Sequence, residues 1–579
     1  MNAPVAVRVE NGERISFGIG SDAVGPRPVA QQRLMVIMLL FGIVTAVIAV
    51  RLIQLCLFAG NDANGAGASL AQRGEIVDRN GQPLATTIKL WSVAINPQEV
   101  LGDRAALAID LARLIPDHSL AWYQAMLRSK RKFVYLRHPA SPELAQAVQA
   151  LGEPALKLAP EPHRLFPQGA LAGHLLGYSQ VVRDGHNKEV LTGIGVERFF
   201  DDQLKAGKSV ALSIDTRVQA AVENEVARRI AETQAQGGAG IVMDVDSGEI
   251  LAMASLPDLN PNAPLRNVDV GVMANKATQS TYELGSTFKM ITFANAIESG
   301  VISDWSHKYD VTQPIQLGRF RIKDDEPQKR WITTPEVMTF SSNIGTAQIA
   351  DQLGAERINA FFRKLGLDKR TDIELRERGA PQYTSYWART TVMTTAYGHG
   401  IAVTPLHLAQ VFAALANGGV LHPATLLKHA PGQPVAGKQV IAPSTSARMR
   451  QLMRLVVLQG TGTNADAPGL RVGGKTGTAE KVNERGGYNR NANVTVFAGM
   501  FPADKPRYVT LVVLDDARPT KESYGFKTAG WMAAPLAKRI IARIGPLLGV
   551  RPDLSIDVDE SDLMPLILEK KVPGKNAIE

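Results

Sequence analysis

Ser286 and Lys289 share one helix face if Ser286-Thr287-Phe288-Lys289 opens the apolar helix that the spacing of Phe288, Ile291, Ala294 and Ile297 predicts. A serine hydroxyl is a poor nucleophile until a neighbouring base takes its proton, and an amine is such a base only when uncharged. The ordinary lysine pKa is about 10.4, so bringing it to about 7.5 takes roughly 4 kcal/mol of differential destabilisation of the ammonium. Burial and a second nearby cation both act in that direction. At a helix N-terminus, Ser286 also has backbone N–H groups to offer a developing oxyanion.

Two further elements supply what such a pair lacks. Ser341-Ser342-Asn343 brings a hydroxyl for proton relay and a carboxamide for a substrate amide. Lys475-Thr476-Gly477-Thr478 lies between glycines and an extended stretch, as an outer strand does. There Lys475, Thr476 and Thr478 would bind a carboxylate, and Gly477 would let a substrate backbone come close. Taken singly, each element is weak. Ser129 to Lys132 repeats the serine–lysine spacing inside a charge run with no apolar helix after it. Gly469 to Thr476 (GLRVGGKT) satisfies the P-loop pattern letter for letter, but a loop precedes it and a turn follows, where phosphate binding needs a strand and then a helix.

The elements that must position these residues are legible on either side of them. Gly238 to Val245 and Glu249 to Ser255 read as a hairpin around Asp246-Ser247-Gly248. Val494 to Met500 and Tyr508 to Leu514 read as a second strand pair. Strands at both ends with helices between predict an α+β domain, an antiparallel sheet with helical layers. Upstream, from about Gln72 to Ser213, short strands and helices alternate, and prolines 139, 142, 160, 162 and 167 argue against one compact regular fold.

A chain of 579 residues requires more than one domain. Its 64 basic against 55 acidic side chains give a net charge of +9, mild for this length and suited to an anionic membrane or cell-wall surface. The basic residues are scattered, so no nucleic-acid partner is expected. A single cysteine, Cys56, excludes intramolecular disulfides and multi-cysteine metal sites, the histidines are scattered, and no metal or cofactor is expected. Leu34 to Val50 carries no charge, and the apolar run resumes after Arg51 to Phe58, which predicts one membrane-spanning helix rather than a cleaved signal.

The ordered set S-x-x-K, S-x-N and K-T-G resembles the penicillin-binding protein and serine β-lactamase superfamily. Arg73 to Ala85 (RGEIVDRNGQPLA), Arg164 to Pro167 with Gly173 to Gly177, and Gly193 to Glu197 (GIGVE) are similar to the pedestal motifs of class B penicillin-binding proteins. The resemblance covers roughly residues 70 to 540. It implies an elongated pedestal domain over 60–215 and a serine β-lactamase-like transpeptidase domain over 216–550, while polar composition and the apolar run predict a cytoplasmic tail over 1–33, a transmembrane helix over 34–58 and, from clustered acids and then lysines, a mobile C-terminal tail over 551–579. In catalysis it makes Ser286 the acylated nucleophile, Lys289 its base, and Ser341 and Asn343 relay and substrate ligand. Lys475 would depress the pKa of Lys289, Thr476, Gly477 and Thr478 would bind substrate, and the N–H groups of Ser286 and Thr478 would form the oxyanion hole.

The implied activity is D,D-transpeptidation of peptidoglycan stem peptides on the outer side of a bacterial inner membrane, with β-lactams as inhibitors. No stretch resembles a glycosyltransferase, so a membrane-embedded glycan-strand polymerase and other division proteins are the implied partners. Ser341-Ser342-Asn343 and Lys475 to Lys481 (KTGTAEK) look more like the division-specific than the elongation member of the class. One departure is Leu284 in Tyr282 to Ser286 (YELGS), where the family commonly has proline. A carboxypeptidase using water as acceptor carries the same motifs, and that alternative stays open.

Overall fold

The computed structural model describes residues 29–58, 73–183, 189–263, 269–318, 320–430, 432–482 and 487–568. The chain divides into two units, residues 1–65 and 66–579. The first contains one helix, α1 (Val29–Phe58), whose apolar side chains from Met35 to Val50 are exposed. No helix among the described residues is long and apolar enough to cross a membrane. Residues 1–28 of the expected cytoplasmic tail and residues 569–579 of the expected C-terminal tail lie outside the described residues.

The second unit begins with the pedestal. Strand β1 (Ile76–Val77) pairs antiparallel with β2 (Pro83–Ile95), which also pairs with β3 (Val134–Ala140) and β4 (Leu156–Leu165). The hairpin β5 (Tyr178–Arg183) and β6 (Glu189–Ile194) follows, and β7 (Val210–Ala211) returns parallel to β1. The prolines expected to break this region are absorbed instead. Pro160 and Pro162 lie on β4, whose one partner is β2, so its other side has no ladder hydrogen bond for proline to lose.

The three pedestal motifs meet in one buried ion cluster. Fully buried Glu197 accepts from Arg73 Nε at 2.8 Å and from Arg164 Nε at 2.7 Å, while Arg73 Nη1 donates to Asp201 at 2.7 Å. Removing Glu197 would leave two buried guanidinium groups without their shared counter-ion, and breaking such a pair costs about 3–5 kcal/mol. Conversion of that set to alanine is therefore a folding lesion.

The larger domain is built on an antiparallel sheet: β8 (Gly237–Asp244), β9 (Ile250–Leu256), β10 (Gly473–Val482), β11 (Tyr488–Phe501) and β12 (Tyr508–Asp515). Their order across the sheet is β10-β11-β12-β8-β9. Both expected hairpins form, and β10 is an outer strand. Both faces are covered, so every residue of β12 is buried. Alternate residues feed two cores. Val512 and Leu514 pack with Val222 of α2 (Thr216–Thr233) and with Ile540 late in the chain. Leu511 and Val513 share a core with Phe288 of α3 (Phe288–Glu298) and with Phe362 of α4 (Asn343–Lys364, interrupted at Gly354). Phe412 of α5 (Pro405–Ala416) and Leu452 of α6 (Pro443–Gln459) complete that layer. The helix that carries Ile540 is α7 (Ala529–Leu547).

Residues 551–568, expected as a mobile tail, are packed instead. Asp557 takes a two-pronged hydrogen bond from Arg454 of α6, Leu563 is fully buried, and the Leu568 N–H reaches Glu336 at 2.8 Å. Asp557 and Asp562 of this segment are counter-ions to Arg454 and Arg448 on α6.

Candidate active site

Ser286 lies in a single 3-10 turn, Gly285–Thr287, that feeds directly into α3. Three glycines set its position. Gly285 has φ +53°, and a Cβ there would stand 2.5 Å from Thr478 O of β10. On Gly398, at φ +84°, a Cβ would meet Gly285 O at 2.2 Å. At Gly477 it would meet Leu284 O at 2.3 Å. The close approach at Gly477, expected for a substrate backbone, is made by the protein's own turn. Strand and turn are interlocked with no room for a methyl group.

Lys289 and Lys475 are both fully buried and converge on one hydroxyl. Ser341 Oγ accepts from Lys289 Nζ at 3.0 Å and from Lys475 Nζ at 2.9 Å. Lys289 Nζ also donates to Ser341 O, and Lys475 Nζ to Thr476 O at 3.0 Å. Burial brings the pKa of Lys289 down to about 7, against the opposing pull of Asp324 and Asp325. Lys475 is held well below its ordinary value, by burial first and by the charge of Lys289 second. Two ammonium groups sharing one hydroxyl in a dry site cannot both stay charged. Burial and the shared hydroxyl thus favour the neutral amine that deprotonation of a serine needs.

Half-exposed Ser286 makes no side-chain hydrogen bond among the described residues. The amine of Lys289 is engaged with Ser341 rather than with Ser286. Ser341 itself has φ +59°, a left-handed conformation costly for a residue with a Cβ.

What holds Ser341 there is Asp324, a residue the motif search did not single out. Its buried carboxylate accepts from Ser342 Oγ at 2.7 Å, Asn343 N at 2.6 Å and Ile344 N at 2.9 Å, capping the start of α4. An acidic pair, Asp324-Asp325, shortly before a serine-rich turn was the available signal. Asn343 Nδ2 donates to Lys323 O at 3.0 Å.

The strand residues divide by role. Thr476 Oγ1 lies 2.6 Å from Thr461 Oγ1, and Thr478 Oγ1 accepts from Ala529 N at 2.9 Å, tying β10 to the start of α7. The P-loop alternative ends here, because the residues after Thr476 continue as strand to Val482 rather than as helix. No cluster able to hold a metal ion occurs among the described residues.

The turn of Ser286, two buried amines on the Ser341 hydroxyl and an outer strand stand together, an arrangement suited to acyl transfer. Comparison with known proteins agrees. Residues 238–542 match the penicillin-binding protein transpeptidase domain, and residues 68–243 the penicillin-binding protein dimerisation domain. The chain is 38% identical over 511 residues to a probable peptidoglycan D,D-transpeptidase FtsI of Caulobacter vibrioides, covering 84% of each. It is 29% identical over 528 residues to the peptidoglycan D,D-transpeptidase FtsI of Escherichia coli K12, covering 85% of this chain and 86% of that one. Among solved structures, penicillin-binding protein 3 of Mycobacterium tuberculosis in complex with aztreonam is similar at a TM-score of 0.63 and 25% identity, over 84% of this chain and 98% of that one. With a dimerisation domain followed by a transpeptidase domain, this chain belongs to the class B penicillin-binding proteins and is most like their division-type D,D-transpeptidases.

Proposed function

We propose that the chain is a serine D,D-transpeptidase that cross-links peptidoglycan stem peptides at the division septum and is inhibited by β-lactams. The observation that carries this is the Ser341 hydroxyl held between two buried lysine amines beside the turn of Ser286. Ser286 Oγ attacks the carbonyl of the penultimate D-Ala of the donor. Its proton passes to neutral Lys289, and through Ser341 to the nitrogen of the departing D-Ala. The acyl-enzyme is then attacked by an acceptor amine, whose proton returns along the same path, freeing Ser286. The N–H groups of Ser286 and Thr478 would stabilise the oxyanion at each step, a reading supported by the contact between Gly285 and Thr478. Asn343 and Thr476 would hold the donor peptide against β10.

The exposed apolar side chains of α1 support its role as the membrane anchor, with the catalytic part outside the cytoplasm. Since the dimerisation and transpeptidase domains together account for residues 68–542, glycan polymerisation falls to a membrane-embedded partner. The domain limits are 60–215 for the pedestal and 216–550 for the transpeptidase. Benzylpenicillin should add its full mass to the peptide containing Ser286, and Ser286→Ala should abolish the adduct. An adduct that persists in the alanine variant would falsify the nucleophile assignment.

A further inference from the structure

Three residues before the nucleophile stands a carboxylate with no assigned task. Glu283 Oε1 accepts from Gly400 N at 2.9 Å and from the Tyr488 hydroxyl at 3.1 Å, and Oε2 lies 3.2 Å from the same hydroxyl. Among the described residues no cation pairs with it. Burial pushes its pKa up, only partly offset by these hydrogen bonds. A half-buried carboxylate without a counter-ion is an unfavourable arrangement that an incoming cation relieves.

Space for such a cation is present. Glu283 lines a cleft of ≈ 360 Å³ together with Gln382, Tyr383, Thr384 and Tyr488. Tyr383 and Tyr488 line it with aromatic rings, a side-chain type that attracts an ammonium, and Gln382 and Thr384 are residues with acceptor oxygens. The cleft is built on the nucleophile's own support, since Tyr282 bridges Val403, and Gln382 bridges Ala402. Three residues of chain span at most about 11 Å, so Glu283 is close enough to Ser286 for one peptide to touch both.

We propose that this cleft binds the side-chain ammonium of the donor stem peptide, placing Glu283 and Tyr488 as specificity-determining residues. The proposal rests on the transpeptidase reading above. Cross-linking joins a donor acyl group to an amine on a second stem of the same polymer, so each donor carries the amine that an acceptor offers. Once the donor is bonded to Ser286, a four- or five-carbon side chain on its neighbouring residue has the reach to enter the cleft. The attacking amine of the acceptor must instead sit at the acyl carbon.

The test uses the full chain in detergent and two donor peptides ending in D-Ala-D-lactate, identical except that the side-chain amine is free or acetylated. Formation of the acyl-enzyme is followed by intact mass, with benzylpenicillin as a separate acylating agent. The wild-type protein should prefer the free amine by about tenfold or more, the effect of one charge-assisted hydrogen bond. Glu283→Gln should bring the ratio to within about twofold. Equal use of both peptides by the wild-type protein overturns the proposal, whatever the variant does. So does a preference that survives Glu283→Gln, or one that appears only when the free amine is on the acceptor. Failure of benzylpenicillin to acylate Ser286 is a different result, and it sinks the transpeptidase reading itself.

Discussion

Replacing Lys289 by methionine should make the protein more stable while ending its chemistry. The folded protein holds this amine at about 7, whereas the unfolded chain returns it to 10.5. Below pH 7 the amine is protonated in both states, and the folded state carries the whole penalty of a buried ammonium. Between pH 7 and 10.5 the unfolded chain binds more protons, so this contribution makes stability rise with pH until the penalty has gone. At pH 7 the penalty is about 4 kcal/mol, from about 1.4 kcal/mol for each pH unit separating the two values. Methionine removes it and loses the two hydrogen bonds to Ser341, together about 2 kcal/mol. A net gain of about 2 kcal/mol at pH 7 is expected, fading to a net loss by pH 10. Urea denaturation of both proteins in detergent at pH 6, 7.5 and 9, with benzylpenicillin acylation measured in parallel, reads out both effects. A variant less stable than wild type at pH 6, with an unchanged dependence on pH, refutes the reasoning.

Other expectations follow from the same site. The rate of acylation by benzylpenicillin should climb through pH 7 as Lys289 loses its proton, about fivefold to tenfold between pH 6 and 8 in stopped-flow measurements. A flat profile over that range would show that a different base is used. Asp324→Asn should move this acid limb to lower pH, because Asp324 favours the charged amine. It should also lower the maximum rate by loosening the turn of Ser341, seen in the same assay. Gly477→Ala should cost about 2–4 kcal/mol of stability and most of the acylation rate, since its Cβ would stand 2.3 Å from Leu284 O. Thermal unfolding and penicillin labelling check the two parts, and a fully active, equally stable alanine variant would contradict the interlock. Truncation after Val550 should lower the melting temperature, because buried Leu563 and Ile567 leave the core with the strap.

The convergence of Lys289, Lys475 and Ser341 was legible because each motif is a short local pattern, and their order along the chain pointed to one site better than any single motif did. The hairpins flanking them were equally plain, since β12 and its neighbours are continuous apolar runs bounded by turn residues. Other features depend on contacts between distant segments, which no local pattern carries. Asp324 reads as one of two acids in a loop until α4 folds onto it. Gly285, Gly398 and Gly477 look like unrelated turn or strand glycines, and only their mutual packing gives them a shared role. The segment after Arg551 reads as a mobile tail because the partners of Asp562 and Asp557, Arg448 and Arg454, are a hundred residues upstream. Pro160 and Pro162 read as breaks because the pairing of β4 on one side alone is a property of the sheet.

The three interlocked glycines also bear on how such a protein changes under selection. A chain pressed to escape a covalent inhibitor cannot bulk up the nucleophile's turn, since any added carbon at those positions strikes main-chain oxygen rather than a side chain that might yield. Adaptation is left to positions outside the turn, away from these three main-chain contacts.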